Sequence, residues 1–165
     1  MFLLNSRERI RLIVGVDANA VAIGVEYQAN TFSETLNALG GHETMHVLSL
    51  RLWGTPSGTW LNEGLAVYSD GSWSGKPLHA LVPAMLDRGE LVLIKDLVRK
   101  KRGFLGNDLV TYPETGRFVK FVYETHGRDA VKRLWQHKPD NAELKALEQE
   151  WLAMLRQLQA SALLS

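Results

Sequence analysis

The chain has 165 residues, a length that predicts one domain over residues 1–165 with a single hydrophobic core. Hydrophobic residues make up 45% of the chain and charged residues 22%, as in ordinary globular proteins. A net charge of +1 gives no global reason to expect nucleic acid or an anionic membrane as a partner, and the absence of cysteine excludes disulfides and thiolate metal ligands.

The amino-terminal segment does not predict a targeting sequence. Residues 1–4 are apolar but too few for a signal-peptide core, and Arg7, Glu8 and Arg9 follow soon after. No uninterrupted apolar run approaches the roughly 18 residues that a transmembrane helix needs. Because the sequence starts abruptly with a strand-like segment, we expect a fragment of a longer protein, and the cellular compartment stays open.

Residues 1–30 form the β-rich part of the predicted fold. Branched residues are frequent in 10–16 and again in 21–27, which predicts a strand in each segment. Residues 17–20 would form the turn between them. Neither segment alternates cleanly between apolar and polar residues, so we expect at least one face of this small sheet to be covered.

A long helix is predicted next. Thr31 and Glu34 have the spacing of a capping box, and the helix that they open would end at Leu52 or Trp53. Gly40-Gly41 interrupts this pattern at a cost of about 1 kcal/mol per glycine relative to alanine. The pair indicates either close backbone packing or a break between two shorter helices, and the sequence does not separate these alternatives.

The remaining chain is predicted to be mainly helical. Residues 54–58 form a turn, Thr59 caps a helix over 60–69, and 71–77 form a loop. Further helices are predicted over 78–88, 96–101, 113–125, 129–136 and 142–158, the last of them clearly amphipathic. The fold class is therefore α+β, with a small amino-terminal sheet followed by a helical carboxyl-terminal part.

The stretch His42-Glu43-Thr44-Met45-His46 carries the chemistry. Two histidines four positions apart on a helix lie on one face, so both imidazoles can reach one small cation. Glu63 on the next predicted helix would complete three protein ligands and leave a fourth position for water, as in catalytic zinc sites. Two unrelated histidines on a helix are the alternative, but buried imidazoles need partners and a metal is one.

This motif and the downstream segment Trp60-Leu61-Asn62-Glu63-Gly64-Leu65-Ala66 resemble those of the gluzincin metallopeptidases of the peptidase MA-like superfamily. The resemblance covers about residues 31–158, with sharp motifs only at 42–46 and 60–66. It implies a zincin-like fold in which 31–70 form the zinc-site helices and 71–165 a helical part. It also implies one Zn²⁺ ion and a peptide or protein substrate.

The expected reaction is hydrolysis of a peptide bond. Glu43 would accept a proton from the attacking water and pass it to the leaving amine. By resemblance, Tyr112 would donate a hydrogen bond to the oxyanion, although an ordinary tyrosine at the edge of the core is the alternative. Asp70 lies seven residues after Glu63, on the same helical face, and would orient His42 or His46 unless it is a solvated helix end.

The resemblance favours an endopeptidase over an aminopeptidase. Related zinc aminopeptidases hold the free amine of the substrate with a G-x-M-E-N motif, and nothing close to it precedes His42. A noncatalytic or regulatory zinc-binding relative is the first alternative, although the presence of Glu43 argues against it. A zinc hydrolase that acts on some other amide is another.

A binding module of a different class is the remaining alternative. Arg99-Lys100-Lys101-Arg102 places four basic residues in a row, and such a cluster can contact the phosphates of a nucleic acid or a membrane surface. Because the net charge is close to zero, a solvated loop is the preferred interpretation, and no nucleic-acid partner is expected.

Overall fold

The computed structural model describes residues 1–32, 40–99 and 107–162. These residues form seven helices and two small sheets, so the predicted α+β class is confirmed. The chain forms two compact units, Met1–Gly54 and Thr55–Ser165. Organisation as a single functional domain stays a prediction.

The first unit is a small sheet with two helices. Its strands are β1 (Phe2–Leu4), β2 (Ala20–Ile23) and β3 (Tyr27–Thr31), in the order β1-β3-β2. β1 runs parallel to β3 and β2 runs antiparallel to it. The helices are α1 (Arg7–Val14) and α2 (Gly41–Trp53), and α2 packs on β2 and β3. The expected packing of the sheet on the helix with both histidines is therefore present within this unit.

The prediction of a strand over 10–16 is wrong, because residues 10–14 of this segment belong to α1. The side chain of Ser6 accepts a hydrogen bond from the backbone N–H of Arg9, and Gly15 ends the helix in the left-handed conformation at φ 81°. Ile10 is the one residue of α1 that is buried. The two caps and this single inward contact define a short helix despite the branched residues.

The second predicted strand is correct in part. Residues 21–27 contain most of β2 and the first residue of β3, so the segment includes a turn that was not predicted. Thr31 was predicted to cap a helix, but its backbone N–H donates to the carbonyl of Asn19 at 2.7 Å and the residue ends β3. α2 begins at Gly41, after Gly40 at the N-cap. The predicted helical residues 33–39 lie outside the described part of the chain.

The second unit is mainly helical, as predicted for this part of the chain. In chain order it contains α3 (Thr59–Asp70), β4 (Ser72–Trp73), β5 (Lys76–Pro77), α4 (Leu78–Asp87), α5 (Ile94–Arg99), α6 (Asp108–Gln136) and α7 (Asn141–Ala162). Its core contains large aromatic residues. The ring of Phe118 lies 6.0 Å from that of Trp60 and meets that of Trp151 edge-on at 5.5 Å.

Two glycines allow α3 and α6 to approach closely. A Cβ atom at Gly116 would stand 2.5 Å from a methyl carbon of Val67, and one at Gly64 would stand 2.8 Å from a methyl carbon of Val119. Distances this short exclude any side chain larger than hydrogen unless the neighbours move. The α3–α6 contact is therefore set by backbone proximity, and it fixes the position of α3.

The two helices predicted over 113–125 and 129–136 are the two parts of α6. The helix begins earlier than predicted, at Asp108, because the side chain of Asn107 accepts from the backbone N–H of Leu109. Gly127 interrupts the helical geometry with φ 83° and ψ 173°, values that favour glycine strongly. α6 consequently consists of two helical parts joined at a sharp bend, as the two predicted helices indicated.

The loop predicted over 71–77 is instead a small hairpin formed by β4 and β5. Ser72 pairs with Pro77 and Trp73 pairs with Lys76. Ser74 and Gly75 form its turn with φ values of 50° and 75°, as in a two-residue type I′ connection.

Arg117 is a charged side chain inside this unit. Its side chain is 5% exposed, and Nη1 lies 3.8 Å from a carboxylate oxygen of Glu124. Nη2 points to the sulfur of Met154 at 3.5 Å, whereas Nε and Nη1 have no hydrogen-bond partner among the described residues. Burial lowers the pKa of this guanidinium from its usual value, and the charge of Glu124 opposes that shift.

None of the helices in the described ranges is both long enough and apolar enough to cross a membrane.

Candidate metal centre

α2 carries two of the predicted ligands. His42 and His46 lie one turn apart, with ring centroids 4.7 Å apart and ring planes at 89°. His46 is 7% exposed, and His42 is half-buried. Two adjacent imidazoles on one helical face can contribute one nitrogen each to the same cation.

Glu43 lies beside the first histidine in the first turn of α2 and is half-buried. Its carboxylate therefore retains partial access to solvent, which a proton acceptor requires.

Glu63 belongs to α3 and is half-buried. Its neighbours on both sides restrict it. The amide of Asn62 donates to the Glu63 carboxylate at 3.4 Å, and Gly64 lies in the close contact with α6. Because Trp60 and Leu61 are also buried, the first turns of α3 are well anchored. The residues around Glu63 in the sequence motif therefore hold α3 in place, and α3 presents Glu63.

The structure brings the three predicted ligands together. One nitrogen from each of His42 and His46 and one carboxylate oxygen of Glu63 all lie within 4.8 Å of one another. In a tetrahedral site with ligand bonds of about 2.0–2.1 Å, two ligand atoms of one zinc ion are about 3.4 Å apart. The group could therefore hold a metal ion.

The donor set fits zinc. Two neutral imidazoles and one carboxylate are ligands that zinc binds readily, and three protein ligands leave a position open for water. The same donors also suit iron, cobalt or manganese, so the geometry does not define the element.

Asp70 is the last residue of α3 and is exposed. α3 is continuous from Thr59 to Asp70, so Asp70 and Glu63 share one helical face. The role proposed for Asp70 in orienting a histidine stays a prediction.

Tyr112 lies in the second turn of α6 and is half-buried. Its ring stacks on that of Trp73 from the hairpin, with centroids 4.8 Å apart and planes at 22°. The sequence interpretation missed Trp73. The dipeptide Ser74-Gly75 was the available signal, because it is typical of a tight turn between two strands.

The other histidines lie elsewhere on the second unit. His79 is exposed on α4, and His137 caps the end of α6. The ring of His126 lies 2.9 Å from a carboxylate oxygen of Glu150. In the basic run, Arg99 is the exposed last residue of α5, and residues 100–102 lie outside the described ranges.

Comparison of the chain with profiles of protein families, with curated protein sequences and with solved structures found no match.

Proposed function

We propose that this protein is a zinc-dependent peptidase of the gluzincin type with a zincin-like fold. The observation that carries the proposal is the convergence of His42, His46 and Glu63 within 4.8 Å. Glu43 supports it, since a carboxylate beside the first histidine serves catalysis but is not needed to bind the metal.

His42, His46 and Glu63 would hold the ion. When bound there, zinc would polarise the carbonyl of the scissile bond and lower the pKa of a water molecule to about 7. Glu43 accepts the proton of the attacking water and returns it to the leaving amine, a role typically worth about 10²- to 10⁴-fold in rate. The neutral hydroxyl of Tyr112 donates a hydrogen bond to the developing oxyanion.

The preferred substrate is a peptide bond in the interior of a chain, and the bond next to a free amino terminus is disfavoured. An aminopeptidase needs a carboxylate that holds the free amine of the substrate, and the sequence before His42 lacks the motif that supplies it in related enzymes. A noncatalytic zinc-binding relative is the alternative, and it differs from a peptidase in binding zinc without cleaving peptides.

Three variants of the full chain test the proposal. Glu43→Gln should retain one zinc ion per chain and lose cleavage of a peptide library, whereas His46→Ala should lose both. His79→Ala is the matched control, because His79 is exposed and is not one of the three clustered ligands, and it should retain both properties. Metal content is measured by elemental analysis and cleavage by mass spectrometry.

Two results would contradict the proposal. Equal zinc content in His46→Ala and in the unmodified protein would exclude the metal site. Stoichiometric zinc without cleavage of any peptide would instead support the noncatalytic alternative.

A further inference from the structure

A groove lies beside the hairpin in the second unit. It is open to solvent and has a volume of about 440 Å³ between the hairpin, α4 and the start of α6, within the usual size range of about 300–1,000 Å³ for small-molecule sites. Its apolar lining comes from Trp73, Leu81, Met85, Leu109 and Val110. Leu109 is 62% exposed at the rim, whereas Met85 is buried. The groove can therefore accept one large apolar side chain.

The hairpin places a positive charge at this groove. Trp73 and Lys76 are paired directly across the two strands, so their side chains project from the same face. Both residues line the groove. The ammonium group of Lys76 therefore lies on the same side of the hairpin as the indole of Trp73.

The other charges of the lining neutralise each other. Arg88 donates two hydrogen bonds to the carboxylate of Glu90, at 2.7 and 2.8 Å. Lys76 forms no ion pair with any residue in the described ranges. A ligand that brings one carboxylate near the apolar groove would complement this charge.

We propose that this groove is a substrate subsite that binds a large apolar side chain next to an acidic residue of a peptide. That the ligand is a peptide rests on the function proposed above. The stack of Trp73 on Tyr112 supports the assignment, because the wall of the groove contacts the tyrosine assigned to the oxyanion. The groove should thus favour peptides that pair a leucine-like side chain with an acidic residue.

Binding to the metal-free full chain tests the subsite separately from catalysis. Dye-labelled octapeptides of alanine carry Leu-Glu, Leu-Lys or Ser-Glu at their centre, and fluorescence anisotropy in the presence of a chelator gives each Kd. The Leu-Glu peptide should bind about fivefold more tightly than the Leu-Lys peptide, as a single exposed ion pair allows. The Ser-Glu peptide should bind more weakly than the Leu-Glu peptide because the groove then stays unfilled.

Charge reversal at the hairpin provides the decisive comparison. Lys76→Glu should invert the preference between the Leu-Glu and Leu-Lys peptides. Lys145→Glu makes the same change at an exposed position on α7 and should leave the preference unaltered. Leu109→Gln, at the exposed rim, should weaken both leucine peptides without reversing their order.

Equal Kd values for the Leu-Glu and Leu-Lys peptides would overturn the subsite, as would equal effects of Lys76→Glu and Lys145→Glu. Cleavage by the zinc-loaded protein is measured in parallel. Selective binding without cleavage would retain the groove and contradict the peptidase. Cleavage with no dependence on Lys76 would retain the peptidase and contradict the groove.

Discussion

Gly64 on α3 lies so close to Thr115 on α6 that a Cβ atom at Gly64 would stand 2.9 Å from the carbonyl oxygen of Thr115. The obstacle is backbone, which cannot rotate away as a flexible side chain can. Gly64 also follows Glu63 directly, so the packing of α3 and the position of a candidate ligand depend on the same residue.

Gly64→Ala should therefore lower the free energy of unfolding by about 1–3 kcal/mol, the usual cost of forcing extra atoms into a packed contact. In an unobstructed helix the same substitution stabilises by up to about 1 kcal/mol, so the sign of the change is informative. Urea denaturation followed by circular dichroism measures it. A more stable variant would show that α3 and α6 do not pack as described.

Tyr112→Phe should reduce kcat by about 10²-fold while zinc content stays unchanged, because the phenylalanine ring can still stack on Trp73 but cannot donate a hydrogen bond. Tyr123→Phe is the control on the same helix, at an exposed residue, and should retain full activity. Peptide cleavage rates and metal analysis provide the two readouts. Unchanged kcat in Tyr112→Phe would assign that tyrosine to packing alone.

Arg117→Met should raise the free energy of unfolding by about 1 kcal/mol. The guanidinium is buried, and two of its nitrogens have no acceptor among the described residues, so an apolar side chain of similar length removes a desolvation cost. Arg156→Met, at an exposed position on α7, should change stability little. Chemical denaturation of both variants makes the comparison, and a less stable Arg117→Met protein would mean that the charge is better satisfied than its contacts indicate.

The pair of Arg7 and Asp17 predicts a pH dependence in the first unit. Arg7 donates a hydrogen bond to Asp17 at 2.6 Å and holds the pKa of that carboxyl below its usual range. Since the pKa is lower in the folded state, the resulting stabilisation is present above the unfolded pKa of about 3.9 and disappears as the pH falls through the folded pKa.

Arg7→Gln should consequently raise the pKa of Asp17 toward its ordinary value. The measurement is an NMR titration of the Asp17 carboxyl carbon between neutral and acidic pH. Arg9→Gln is a control with the same change of charge, since Arg9 contacts Ser6 through its backbone only. An identical Asp17 titration in the Arg7→Gln and unmodified proteins would exclude the ion pair in solution.

The candidate ligands could be predicted from the sequence because their spacing reflects the geometry of a helix and of a short turn. His42 and His46 need only one continuous turn of helix to share a face, and Glu63 needs a short turn before a second helix. The turn over 54–58 contains glycine and proline, which identify such connections reliably. These features depend on neighbours in sequence and so can be inferred without the tertiary structure.

The predictions that were wrong or missing depend on more than the composition and spacing of neighbouring residues. Residues 10–16 have strand-like composition, but Ser6 and Gly15 cap a helix there and only Ile10 is buried. Thr31 has the spacing of a helix cap, yet pairing with Leu4 of β1 and a hydrogen bond to Asn19 hold it in a strand. Trp73 was overlooked because its partner Tyr112 is distant in sequence. Local caps decided the first case, whereas contacts between residues distant in sequence decided the other two.

The bend at Gly127 has a consequence for the start of α3. Beyond the bend, the carbonyl of Leu134 accepts from the hydroxyl of Ser57 at 2.7 Å, and that of Trp135 accepts from its backbone N–H. Without this change of direction, the second part of α6 would point away from Ser57, and both hydrogen bonds that hold the residues before α3 would be lost. The torsion angles of Gly127 thus allow the first part of α6 to pack on α3 and the second part to bind Ser57, just before α3 begins.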